Sequence, residues 1–123
     1  MRVLIVDGAN VVGSRPNGWW RDRAGAAERL HQAIAAADLG YDDIVLVLEG
    51  EAKRGQPAGV DGMVRTVHAA GSGDDAIVAE VRLCDEDGNE AVVVTADRAL
   101  RERVAAAGGS SVGPSWLLTL MTK

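Results

Sequence analysis

The stretch MRVLIVDGAN, residues 1–10, places a short apolar run directly before an aspartate and a glycine. The run Val3–Val6 is continuously apolar, and this predicts a strand buried on both faces, because a half-exposed strand would alternate with polar residues. Asp7 then lies at the carboxyl end of the strand, and Gly8 begins the next turn. Such a strand is typical of a parallel sheet that is covered by helices on both sides.

Outward from this strand, apolar runs alternate with helical patterns along the chain. Further strands are predicted at Ile44–Leu48, Met63–His68, Ala91–Val94 and Ser110–Val112. Residues at helical spacing predict four helices: Ala27, Leu30, Ile34 and Ala37; Ile77, Val81 and Cys84; Leu100, Val104 and Ala107; and a terminal helix from Pro114 with Trp116, Leu117 and Leu120 inward. The alternation predicts that residues 1–123 form a single three-layer α/β domain, with a central, mostly parallel sheet of about five strands flanked by helices.

Composition narrows the classes of protein that fit this chain. Its 123 residues are 47% apolar, which is close to the modal size of one domain and enough for a core. The lone Cys84 cannot form an internal disulfide, and no signal peptide or membrane span is visible, so we expect a soluble cytoplasmic protein. The net charge of −5 argues against a broad positive field, so any RNA contact must be local, metal-assisted or transient.

Five acids fall where the predicted topology brings distant segments to one edge of the sheet. They are Asp7, Glu49, Asp74, Asp75 and Asp97. Ligands bind at the carboxyl ends of strands in open α/β sheets, and each of these acids follows a strand or begins a helix at that edge. Clustered carboxylates repel one another unless a cation neutralises them, and oxygen ligands without Cys or His favour Mg²⁺ or Mn²⁺. Such ions activate water, so hydrolysis of a phosphodiester is the expected chemistry.

Helix capping is the competing explanation for each acid taken alone. Asp74 and Asp97 stand where helices begin, and a carboxylate there stabilises a helix by about 1 kcal/mol with no other role. Capping does not account for Asp7 after a buried strand and beside Asn10, or for acids at three strand ends on the same edge. The whole set therefore favours a functional site.

Three motifs, in this order, resemble the NYN family of PIN-like nucleases. They are VDGANVV at residues 6–12, GDDAI at residues 73–77 and TADR at residues 95–98. The resemblance extends over nearly the whole chain. It implies a PIN-like fold and a metal-dependent ribonuclease, that is, a hydrolase that cuts RNA. Our first hypothesis is an endonuclease, and whether cleavage is internal or from an end stays open.

Residue roles follow from the same resemblance. It implies that Asp7 is the central metal ligand and that Asp75 and Asp97 complete the metal and water shell. Asn10 and Asp74 are the further catalytic residues that it implies. Two hydroxyl groups, those of Thr95 and Ser72, would either orient carboxylates or serve as local caps.

Arginines and tryptophans are concentrated in residues 13–23, which, like residues 50–62, exceed the length of a usual connection. The substrate-binding candidates are Arg15, Arg21, Arg23 and Arg98. Trp19 and Trp20 lie among the first three of these arginines, and an indole there could stack on an unpaired base of single-stranded RNA. The alternative, which we favour, is that the tryptophans pack the loop onto the core or form a dimer contact.

A hypothesis from another class is a noncatalytic PIN-like module that binds RNA or a partner protein as a regulator. The complete set of acids argues against it, because a degenerate site would be expected to have lost one acid to an apolar residue. A homodimer formed through Trp116 or the tryptophan loop, and a regulatory protein partner, both stay open. The roles of Glu49 and His68 stay open as well.

Overall fold

The computed structural model describes residues 1–15 and 18–122. Within them the strands are β1 (Arg2–Asp7), β2 (Asp43–Leu48), β3 (Gly59–Asp61), β4 (Val64–His68), β5 (Glu90–Val94) and β6 (Ser110–Val112). The helices are α1 (Gly8–Gly13), α2 (Arg23–Ala36), α3 (Gly73–Glu86), α4 (Arg98–Ala106) and α5 (Pro114–Met121), with short 3-10 segments at Trp19–Arg21 and Gly50–Gly55. No helix of these described residues has the length and apolar character that crossing a bilayer requires.

All six strands lie in one sheet in the order β3-β4-β2-β1-β5-β6, and only β3 runs antiparallel to its neighbour. β1 is therefore central, between β2 and β5. The chain leaves β1 toward α2 on one face of the sheet and leaves β5 toward α4 on the other. Neighbouring strands with connections to opposite faces form a crevice at their carboxyl ends, where α/β proteins bind ligands.

Apolar side chains fill the space on both faces of the sheet. Leu4 and Val6 of β1 join the core beneath α1, α2 and α5, whereas Val3 and Ile5 join the core beneath α3 and α4. This alternation follows from the period of two along a strand. The continuous burial of Val3–Asp7 confirms the expectation of a strand covered on both sides. The three-layer α/β arrangement therefore buries β1 up to its last residue, Asp7, at the carboxyl edge of the sheet.

The sheet has six strands, one more than the sequence predicted. The additional strand, β3, consists of three exposed residues, so it carries no apolar run that could have revealed it. It forms a hairpin with β4 through Gly62, whose φ of 60° suits a tight turn. Residues 50–62, expected to be a long loop, thus contain a 3-10 segment and an edge strand.

Candidate active site

Asp7 is the innermost acid at the carboxyl edge, with only 6% of its surface exposed. One of its carboxylate oxygens accepts a hydrogen bond from the backbone N–H of Asn10 (3.3 Å), which makes Asp7 the N-cap of α1. Its other oxygen accepts a hydrogen bond from the Thr95 hydroxyl at 3.0 Å. Capping, which the sequence did not suggest for this residue, therefore accounts for only one of its two oxygens.

Two side chains join the end of β1 to the segment that follows β5. The Thr95 hydroxyl donates to Asp7 and also accepts from the backbone N–H of Asp97 at 3.2 Å. The Asn10 side-chain oxygen accepts from the backbone N–H of Ala96 at 2.9 Å. Thr95 thus bonds the Asp7 carboxylate and also the backbone of Asp97, so it takes both of the roles that the sequence left open, and Asn10 holds the loop that carries Asp97.

Asp97 lies on the solvent side of this arrangement. One of its oxygens accepts from the backbone N–H of Leu100 at 3.0 Å, so Asp97 is the N-cap of α4. Asp74, by contrast, does not cap a helix, because Ser72 is the N-cap of α3 and accepts from the backbone N–H groups of Asp74 and Asp75. The capping explanation therefore applies to Asp97 and not to Asp74.

Glu49, at the end of β2, adds a further carboxylate on the same edge. One of its oxygens accepts from the backbone N–H of Gly73 at 3.0 Å. A Cβ at Gly73 would stand 3.2 Å from the carboxyl carbon of Glu49, so a larger residue would crowd this contact. The bond fixes the start of α3 against the end of β2.

Four carboxylates from different segments influence one another: Asp7, Glu49, Asp74 and Asp97, hereafter the acidic cluster. Burial raises the pKa of Asp7, and the charges of Asp74 and Glu49 raise it further, while the hydrogen bonds from Thr95 and Asn10 oppose the shift. Burial also raises the pKa of Asp74, and the charges of Asp97 and Glu49 add to the effect. Mutual repulsion of this kind is what a bound cation would relieve.

Asp75 is the neighbour of Asp74 in α3, but its carboxylate is paired with an arginine of another helix. Its carboxylate accepts a hydrogen bond from the Arg103 guanidinium of α4 at 2.9 Å, and its side chain is 72% exposed. Asp74 is half-buried, and burial together with the charges of Asp97 and Glu49 raises its pKa. The charges of Asp74 and Glu49 thus act on Asp7, and those of Asp97 and Glu49 act on Asp74, whereas the resemblance had implied Asp7, Asp75 and Asp97 as the metal ligands.

The donor set of the acidic cluster suits a hard divalent cation, since all its ligand atoms are carboxylate oxygens. Among the side chains of residues 1–15 and 18–122, no group of three His, Cys, Asp or Glu is already arranged to hold an ion. Ion binding would therefore require side-chain rotation. Asp74 is half-buried and Asp97 is exposed, whereas Asp7 is buried and accepts hydrogen bonds through both oxygens.

A cleft next to the acidic cluster was not foreseen from the sequence. It lies between α1 and Trp19 on one side and the 3-10 segment Gly50–Gly55 on the other, and its volume is about 470 Å³. Its lining includes Ala9, Val12, Trp19, Arg23, Leu48, Glu49 and Ala52. We call it the tryptophan cleft. Glu49 belongs to both this cleft and the acidic cluster, so the two are continuous.

The structure separates the arginines that were expected to bind substrate. Arg23 lines the tryptophan cleft, and its guanidinium lies 4.7 Å from the centre of the Trp19 ring. Arg15 instead lines a small cavity between α1, α2 and α5. Arg21 packs on the exposed Trp20 at 5.7 Å. Arg98 is exposed in the first turn of α4, directly after Asp97.

His68 and Trp116, whose roles the sequence left open, both contact other parts of the fold. The His68 ring nitrogen lies 2.7 Å from the backbone oxygen of Gln56, so His68 tethers residues 50–62 to β4. Trp116 packs edge to face on Tyr41, with ring centres 6.1 Å apart. Neither residue lies in the acidic cluster, and both stabilise the packing of loops and helices.

Asp74→Asn is expected to leave the metal-free protein at least as stable as the native protein near pH 7. Because the pKa of this carboxyl is raised in the folded state, folding takes up protons. The carboxyl therefore costs no stability below its ordinary value of 3.8 and destabilises the fold as the pH rises through the raised pKa. Urea unfolding in chelator should give the variant the same free energy of unfolding as the native protein at acid pH and a higher one at neutral pH.

Asp75→Asn is the matched control for this prediction. It removes the same charge one residue along and breaks the exposed ion pair with Arg103, which should cost between 0 and about 1 kcal/mol. A loss of about 1 kcal/mol in Asp74→Asn as well would mean that this acid only stabilises the positive end of α3. The two explanations for Asp74 thus predict opposite signs.

Comparison with known proteins identifies structural relatives only. No family model and no curated protein sequence matches the chain. Among solved structures, Rae1 (YacP) from Bacillus subtilis and a mutant form of it each match with a TM-score of 0.79 and 18% sequence identity. The matches cover 99% of this chain and 74% and 76% of the two neighbours. At this identity, the chain shares the α/β fold of Rae1 (YacP).

Proposed function

We propose that this protein is a divalent-metal-dependent ribonuclease of the PIN-like NYN type. The observation that carries the proposal is the acidic cluster, in which four carboxylates from four segments lie at the carboxyl edge of the sheet and act on one another through their charges. The pKa values of two of them are raised by burial and by the other acids. Perturbed acids in a crevice at the switch point of an α/β sheet are typical of a functional site.

Mg²⁺ or Mn²⁺ is the proposed cofactor, and Asp7, Asp74 and Asp97 are the residues that would hold it. Such an ion, when bound, supplies activated water and neutralises charge on a phosphate. Asp7 is a suitable inner ligand because Thr95 and the N-terminus of α1 fix its carboxylate. Asn10 keeps Asp97 next to Asp7 by holding the backbone at Ala96.

RNA is the proposed substrate, in single-stranded form. The net charge of −5 leaves local contacts as the means of binding. Two exposed arginines would contact phosphates on either side of the scissile bond: Arg23, which lines the tryptophan cleft together with Glu49, and Arg98, which directly follows Asp97. The buried, unbridged thiol of Cys84 supports a reducing compartment such as the cytoplasm.

A noncatalytic RNA-binding module is the second candidate, and one observation favours it. Asp7 and Asp97 both cap helices, and Glu49 holds the start of α3, so each has a structural task. Against this candidate, Asp74 caps no helix, and its pKa is raised by burial and by the charges of Asp97 and Glu49.

Cleavage of a fluorescent single-stranded RNA with Mn²⁺, with Mg²⁺ and with chelator tests the proposal. Native protein should cut only with metal, and Asp97→Asn should lower the rate at least about 100-fold, which exceeds the usual effect of a residue that merely orients a ligand. The asparagine still caps α4, so a folding defect is not expected. Metal-independent cutting, or equal cutting by both proteins, would contradict the proposal.

A further inference from the structure

The walls of the tryptophan cleft suit a flat, uncharged group. Trp19 and Arg23 form one wall, with the guanidinium 4.7 Å from the ring centre. Ala9, Val12 and Leu48 supply apolar surface. Indole rings and guanidinium planes are the groups on which proteins stack unpaired bases of nucleic acids.

The cleft is lined by charged side chains of both signs, namely Arg23, Glu49 and Glu51. Glu49 and Glu51 are among the lining residues and would repel a phosphate inside the cleft, but they do not repel a neutral base. Glu51 is exposed and forms an ion pair with Arg54 at 3.5 Å, so Glu49 is the lining acid that no arginine neutralises among the described residues. Arg23 at the wall and Arg21 nearby are both exposed and form no ion pair within residues 1–15 and 18–122. This arrangement accepts a base inside and its phosphates outside.

Size and position agree with a single nucleotide. A volume of about 470 Å³ lies within the range of about 300–1,000 Å³ that is typical of small-molecule sites, and it is too small for a duplex. Because Glu49 also belongs to the acidic cluster, an RNA strand with one base in the cleft would run directly past the proposed metal site.

From these observations we propose that the tryptophan cleft binds one unpaired nucleotide of single-stranded RNA, with its base against the Trp19–Arg23 wall, beside the acidic cluster. The inference deepens the proposed function and rests on RNA being the substrate. The cleft then positions the strand, and the acidic cluster acts on a neighbouring phosphate. Trp19 is a positioning residue in this scheme, while Trp20, which is 54% exposed and does not line the cleft, takes no part.

Binding of fluorescein-labelled single-stranded hexaribonucleotides, measured by fluorescence anisotropy in chelator, tests this inference. Trp19→Ala should weaken binding at least about fivefold, which is the lower range for the loss of one stacked base. The matched control Trp20→Ala should change affinity by no more than about twofold. Trp19→Phe, which retains an aromatic face, should recover part of the affinity and guards against a folding defect in Trp19→Ala.

A series of hexamers, each with a single abasic position, isolates the base itself. At one position, loss of the base should weaken binding to the native protein at least about fivefold and should have little further effect on Trp19→Ala. Equal losses in Trp19→Ala and Trp20→Ala, additive effects of abasic site and mutation, or no hexamer binding at all would each overturn the inference.

The abasic binding series and the cleavage assay together separate this inference from the proposed nuclease. If native protein cuts RNA with metal and the abasic series has no effect, the nuclease stands and the nucleotide site is wrong. If Trp19 and one base are coupled in chelator and no metal supports cutting, the nucleotide site stands and the nuclease is wrong.

Discussion

Asp7→Asn should abolish most metal-dependent cleavage, lowering the rate at least about 100-fold. Asp7 is the most buried member of the acidic cluster and is held by Thr95, so no other carboxylate can replace it. Asparagine keeps the shape and the capping ability of aspartate while removing the charge. Because burial raises the pKa of Asp7, loss of the charge favours the fold near pH 7 in chelator. The asparagine amide cannot accept from both Asn10 and Thr95, so the two effects oppose each other and the change in stability should be small.

Two measurements make the Asp7 prediction decisive. Asp87→Asn removes one charge at the far end of α3, about 20 Å from Asp74, and should keep the native cleavage rate. Isothermal titration with Mn²⁺ should show weakened metal binding in Asp7→Asn and native affinity in Asp87→Asn. Unchanged metal affinity in Asp7→Asn would remove Asp7 from the ligand set, whatever the cleavage rate.

Gly55→Ala should lower the free energy of unfolding by about 1–3 kcal/mol or more. A Cβ at Gly55 would overlap the backbone oxygen of Ala24 and stand 3.0 Å from the backbone nitrogen of Glu28. Both are rigid atoms of α2, so the 3-10 segment Gly50–Gly55 must move away from the helix. That segment forms one wall of the tryptophan cleft, and RNA binding should weaken together with stability.

Gly71→Ala is the matched control for Gly55→Ala. A Cβ at Gly71 meets no atom within 4 Å, and its backbone is not in the left-handed region. This substitution should leave stability unchanged or raise it by up to about 1 kcal/mol. Urea unfolding measures both variants, and equal stability of the two would show that α2 and the 3-10 segment are not in contact as described.

The sequence predicted the position of those site residues that follow directly after a strand. Asp7 ends a buried apolar run, and Asp97 follows another, so the topology alone placed both at one edge. The choice between Asp74 and Asp75 was not foreseeable. Neighbouring residues on a helix point about 100° apart, and which one meets the other acids depends on how α3 packs on the sheet. Arg103, the partner of Asp75, lies on another helix and gave no signal in the sequence.

The sequence by itself determined the parallel α/β architecture and the positions of five strands, because continuous apolar runs and helical spacing are local consequences of burial. It also determined the acidic carboxyl edge. Only the tertiary structure decided that Thr95 contacts Asp7 across 88 residues, that an edge strand of exposed residues completes the sheet, and that Trp19 lines a cleft beside Glu49. These features depend on the order of the strands and on how loops and helices pack on the sheet. Both are set by contacts between distant segments, which leave no periodic pattern in the chain.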